Sequence, residues 1–166
     1  MEIRDARPGE MPEIGELRLA AYQRGGHLSP DSEYALRLRE LGADGEGDVL
    51  VAEINGRLAG TVMLQYPPQA GQVVQEADEA EIRALAVEPD GQRRGVGRAL
   101  VEAAIGHAVN RGVRHLVLCT LPGMRTAHRI YEGAGFHRLP DRDWAPGGDT
   151  LLVYGLRLPA ADAAGG

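Results

Sequence analysis

Apolar positions along the 166-residue chain follow two spacings, and the changes between them mark its elements. Residues 1–5 form a short first strand. Over residues 10–22, Met11, Ile14, Leu17, Leu19 and Ala21 make a helical stripe with polar residues between them. Gly25-Gly26 ends that helix. Ser29-Pro30 then supplies an N-cap and a proline at the first helical position, so a second helix is predicted over 30–41 with Tyr34, Leu38 and Leu41 on one face. Residues 48–54 and 57–65 are strand-like and flank Asn55-Gly56, a dipeptide suited to the two positive φ angles of a type I′ hairpin turn. Beyond a Pro- and Gly-containing connection at 66–75, a strand is predicted over 80–88 and a helix over 95–111. Gly112 is placed as the C′ residue of that helix. The nearly continuous apolar run at 114–120 reads as a strand covered on both faces. A helix at 124–133, a short strand at 136–139 and a last strand at 150–158 complete the pattern.

Strands pairing early as a meander and later through strand-helix-strand units predict an α/β (α+β) fold. The expected core is a mixed sheet of about six to seven strands flanked by about four helices. No repeat or long linker divides the chain, so residues 1–158 are expected to form a single domain and 159–166 a disordered tail.

Composition removes several classes of chemistry. With a net charge of −6 and no basic block, nucleic acid is not an expected partner. No apolar stretch reaches membrane-spanning length and no secretory leader precedes the first strand, so a cytoplasmic location is expected. Cys119 is the single cysteine and lies in an apolar run, where it reads as a core side chain. The five histidines lack metal-ligand spacing, so no metal site is expected. All 18 basic residues are arginines, which excludes a Walker-type lysine and Schiff-base chemistry.

The chemistry concentrates in Gln92-Arg93-Arg94-Gly95-Val96-Gly97, placed between a strand and a helix. The first turn of a helix presents unpaired N–H groups and partial positive charge, which suit a phosphate. Gly95 and Gly97 permit close approach to the backbone, Gln92 offers a donor, and Arg93, Arg94 and Arg98 surround the mouth with charge. A dinucleotide fingerprint would need glycine at Leu100, and a P-loop would need lysine.

Together with Ala84-Leu85-Ala86-Val87-Glu88-Pro89 before it and Ala127-His128-Arg129-Ile130-Tyr131-Glu132-Gly133-Ala134-Gly135-Phe136 after it, this loop resembles the GNAT acyltransferase superfamily. The resemblance spans about residues 80–136 and agrees with the upstream element order. It implies an acetyl-CoA-dependent N-acetyltransferase acting directly on an amine in a ternary complex. It further implies a pyrophosphate site at 92–97, beside the charge of Arg98, and cofactor contacts along the backbone of Leu85, Ala86 and Val87; His128, three residues before Tyr131, is a candidate cofactor or acceptor contact, its other reading being an exposed helix histidine. A splayed pair formed by the strands at 80–88 and 114–120 is expected to free that backbone. Tyr131 matches the family's tyrosine that assists the departing thiolate. One departure is Met124, where many members carry an asparagine that helps fix the cofactor arm.

Glu81 is the candidate base, sharing strand parity with Arg83, Leu85 and Val87. The other reading places Glu76, Asp78, Glu79 and Glu81 on a solvated acidic edge, with Glu81 paired to Arg83. Tyr22, His27, Tyr34 and Trp144 are candidates for the acceptor pocket. The acceptor could be a small-molecule or peptide amine, and the family allows a homodimer. Two alternatives stay open: a non-catalytic acyl-CoA-binding domain, and a transferase using a longer acyl-CoA.

Overall fold

Asn55 and Gly56 take φ angles of 53° and 78°, the paired left-handed conformation that joins β2 (Asp48–Ile54) to β3 (Arg57–Gln65). That hairpin is part of a computed structural model describing residues 1–26, 33–68, 73–89, 95–146 and 148–160. β1 (Glu2–Asp5) pairs antiparallel with β2, from Glu2–Glu53 to Asp5–Leu50. The remaining strands are β4 (Glu79–Val87), β5 (His115–Thr120), β6 (His137–Arg138) and β7 (Leu152–Arg157). They form one seven-stranded mixed sheet in the order β1-β2-β3-β4-β5-β7-β6. The helices are α1 (Met11–Arg24), α2 (Glu33–Glu40), α3 (Val96–Asn110) and α4 (Arg125–Gly133). The observed bounds mostly lie within two residues of the expected ones. The predicted start of α2 and His27 fall outside the described residues.

Backbone contacts divide the chain into two units, Met1–Met63 with Ala84–Leu100, and Leu64–Arg83 with Val101–Gly166. In the first, Ile14, Val51 and Leu58 pack with Met11, Leu17 and Val49, which matches the apolar stripe of α1. Arg18 is fully buried there. Its guanidinium donates to the carbonyls of Leu38 and Leu41 at 3.0 and 2.6 Å, satisfying groups at the C-terminal end of α2 that the helix leaves open. In the second unit, β5 pairs antiparallel with β7 over its whole length, from His115–Arg157 to Thr120–Leu152. Val73, Val117 and Val153 form one buried cluster there, with Leu139 and Trp144 packed against it.

Candidate active site

β4 carries two departures from regular strand geometry. Its parallel ladder with β5 runs over Glu79–His115, Ala80–Leu116 and Glu81–Val117, and does not continue to Ile82 and Arg83 although both strands do. Ala84 then takes φ +55°, a left-handed conformation that costs a non-glycine residue about 1–3 kcal/mol and collects at functional sites. This turn interrupts the pleat. The alternation of burial nonetheless carries through it: Arg83, Leu85 and Val87 are half-buried, whereas Ile82, Ala84 and Ala86 are buried.

In the same unit Gly95 takes φ +74°, and its carbonyl accepts the Ala99 N–H at 3.0 Å to open α3. The first turn of α3 holds no acidic residue and carries the exposed Arg98. By contrast, α1 and α2 place Glu13 and Glu33 in their first turns. The positive end of α3 thus has no carboxylate of its own turn to offset it, a state suited to an incoming anion. A Cβ added at Gly95 would meet nothing within 4 Å among the described residues. Val96 and Gly97 are buried, and Gln92, Arg93 and Arg94 lie outside the described residues.

In the second unit Tyr131 is buried on α4, its ring 5.8 Å from that of Phe136 and 6.1 Å from that of Tyr154. Burial, with Cys119 adding to it, holds the phenol well above its usual range, so it keeps its proton. His128 stacks on Tyr154 at 5.7 Å and donates from Nε2 to the Leu121 carbonyl at 3.0 Å. At the start of α4, Met124 accepts a hydrogen bond from the Thr120 hydroxyl through sulfur at 3.5 Å.

Glu81 is not on a solvated edge: it is 1% exposed, and its Oε1 accepts the Val73 N–H at 3.4 Å. Arg83 Nε stands 3.8 Å from its other oxygen, so the expected pairing is present, within a buried setting. Glu79 is buried as well. Cys119 is half-buried. Burial and then the charge of Glu81 push its thiol up to about 12, and the Trp144 indole adjoins the sulfur. Cys119 is thus coupled electrostatically to Glu81 and to Tyr131. Parity along β5 gave no hint of this, because an all-apolar run reads as core on both faces. Of the other acceptor candidates, Tyr22 is half-buried and Tyr34 exposed. Among the described residues, no helix is long and apolar enough to cross a membrane.

Residues 11–136 match the acetyltransferase (GNAT) family. Mycothiol acetyltransferase of Cellulomonas flavigena is 35% identical over 91 residues, covering 54% of this chain and 26% of that protein. The Escherichia coli [ribosomal protein bS18]-alanine N-acetyltransferase is 43% identical over 60 residues, 36% of this chain and 40% of that one. The matched stretches thus span less than half the length of either relative. Among solved structures, a GNAT-family acetyltransferase from Staphylococcus aureus superposes with a TM-score of 0.74 at 16% identity, covering 95% and 99% of the two chains. A phosphinothricin acetyltransferase from Sinorhizobium meliloti, solved in complex with acetyl-CoA, gives 0.70 at 17% identity over 95% and 88%. At these identities the likeness speaks for the fold.

Proposed function

The chain belongs to the GNAT acetyltransferase family, and from that premise we propose that it transfers an acetyl group from acetyl-CoA to a primary amine within a ternary complex. Acetyl-CoA, the acyl donor of this family, supplies the activated acetyl group as a thioester. The observation that carries this reading is the early end of the β4–β5 ladder at Glu81–Val117, followed by the left-handed turn at Ala84. A strand diverted there can offer the backbone of Leu85, Ala86 and Val87 to an extended ligand. Gly95 and the first turn of α3, which holds no carboxylate of its own, suit its diphosphate, with Gln92, Arg93, Arg94 and Arg98 adding donors and charge.

A protonated alkylamine near pH 7.4 carries a penalty of about 4 kcal/mol before it can attack. Glu81 accepts that proton. Tyr131 donates a hydrogen bond to the departing sulfur. Its phenol is held far above the range of a thiol, so the bond stabilises the thiolate without surrendering the proton. Cys119, pushed up to about 12, stays a thiol, which favours direct transfer over an acyl-cysteine. Holding both reactants together can supply about 7–11 kcal/mol. His128 is committed through Nε2 to the Leu121 carbonyl, which leaves its other ring nitrogen for any cofactor contact.

We assign residues 1–158 to this acyltransferase domain. The named relatives point to two different acceptors, so an alanine-terminated peptide belongs in the first screen beside small amines. Incubation with acetyl-CoA and pooled amines should release free thiol only when a suitable amine is present. Acetyl-CoA binding with no turnover in any pool would contradict the proposal and support a non-catalytic binding domain.

A further inference from the structure

The proposed chemistry leaves unused a buried carboxylate two residues before Glu81. Glu79 is 2% exposed, yet it is surrounded by donors. Its Oε1 accepts the Gln75 N–H at 2.8 Å, the Glu76 N–H at 3.4 Å and Arg142 Nη1 at 3.1 Å. Its Oε2 lies 2.7 Å from both Arg142 Nη2 and His115 Nδ1. Burial alone would raise the carboxyl; the Arg142 bonds, the Gln75 N–H and His115 outweigh it and hold the group at about 2. His115 is confined from behind, since a Cβ on Gly155 would stand 2.6 Å from its Nε2.

Two segments depend on this carboxylate. The first is the stretch 73–76, held at Gln75 and Glu76 by Glu79 and at Val73 by Glu81. Arg142 reaches the same stretch through the Val73 carbonyl at 3.5 Å. The second is the turn Pro140–Arg142, which leads directly to Asp143 and Trp144. Asp143 is clamped by Arg138 at 2.8 and 2.6 Å and accepts the Val153 N–H at 2.9 Å. Trp144 packs on the cluster of Val73, Val117 and Val153 together with Cys119. Buried ion clusters contribute little net stability compared with apolar packing, but they do fix which groups face each other.

We propose that Glu79 is a positioning residue for the acceptor. Through Val73 and Arg142 it sets where the Glu81 carboxylate stands relative to Trp144, and so which amines can present their nitrogen to Glu81. The inference rests on the reading of Glu81 as the base.

The test compares Glu79→Gln, Arg142→Gln and Arg142→Lys in the full chain. Each is assayed with acetyl-CoA and a fixed series of propylamine, benzylamine and an alanine-terminated peptide amide. For the amines that wild type accepts, Glu79→Gln and Arg142→Gln should raise the amine KM by about tenfold or more and alter its ranking across the series. The acetyl-CoA KM should stay within about twofold, a split that general loosening would not give. Arg142→Lys should recover part of the loss, and the double glutamine variant should be no worse than either single one, because both remove the same cluster. Should Glu79→Gln fail to fold, the partly exposed Arg142 carries the test alone. Wild-type amine KM values in both glutamine variants overturn the inference, as does an equal rise for amine and acetyl-CoA. Failure of the underlying reading looks different: Glu81→Gln would then keep the wild-type pH-rate profile.

Discussion

A methyl group placed on Gly60 meets three neighbours at once. Its Cβ would lie 2.8 Å from Val96 Cγ1, 2.9 Å from Leu100 Cδ1 and 3.1 Å from the Ala86 carbonyl oxygen. Carbon atoms in contact prefer about 3.5–4.0 Å, so the two side chains must retreat by roughly 0.5–1 Å. Neither has room to do so alone, because Val96 and Leu100 are fully buried, and the Ala86 oxygen belongs to the backbone. The displacement therefore passes to the first turns of α3, beside Gly95, and to the strand that carries Leu85–Val87. Overpacking of this kind costs about 1–3 kcal/mol. For a chain of this size each kcal/mol lowers Tm by about 2–4 °C, giving a loss of about 2–12 °C for Gly60→Ala. A shift of about 1 Å at a binding element can cost up to a hundredfold, so the acetyl-CoA Kd should rise by about tenfold or more. Thermal unfolding and calorimetric titration with acetyl-CoA read the two effects separately. Gly106→Ala is the matched control on the same helix. Its Cβ meets nothing within 4 Å among the described residues, and alanine there should stabilise by about 0.5–1 kcal/mol without altering Kd. A Gly60→Ala protein with wild-type Tm would refute the packing argument. A lowered Tm with unchanged Kd would refute the link to the cofactor elements.

Further outcomes follow from the other unit. Tyr131→Phe should lower kcat by about a hundredfold or more while leaving acetyl-CoA Kd nearly unchanged; unaltered turnover would remove the tyrosine from the reaction. Cys119, held as a thiol by burial and by Glu81, should react with iodoacetamide at pH 8 far more slowly than a free thiol, and Cys119→Ala should retain turnover. Rapid labelling would contradict that. Glu79 is lowered from 4.5 to about 2, so its contribution to folding is fully present above about pH 4.5 and is lost as pH falls towards 2. Across that window Glu79→Gln should lose less stability than wild type; parallel acid denaturation curves would show that the carboxylate is not held as described.

Much of the fold was legible because local signals agreed with the tertiary arrangement. Asn55-Gly56 announced its turn, the α1 stripe matches the residues packed on Val51, and the glycine at 95 marked the start of α3. The rest turned on contacts that no local pattern encodes. Ala84 carries no glycine-like cue for a positive φ, so the left-handed residue within β4 was invisible. The run from Glu76 to Glu81 has the composition of a solvated edge. Two of its carboxylates are buried: Arg142 and His115, 63 and 36 residues away, supply donors to Glu79, and the Val73 N–H and Arg83 meet Glu81. Gly60 likewise reads as a weak strand residue until α3 is laid against it.

The central claim is that the acetyl group passes straight from acetyl-CoA to the amine, with no residue carrying it between. Mixing the enzyme with isotopically labelled acetyl-CoA and an accepted amine, then quenching within the first turnover, tests it most directly. The account predicts label on the amine in step with thiol release, and none on the protein with or without amine. Label on Cys119, formed before amine is added and discharged when it arrives, would contradict it.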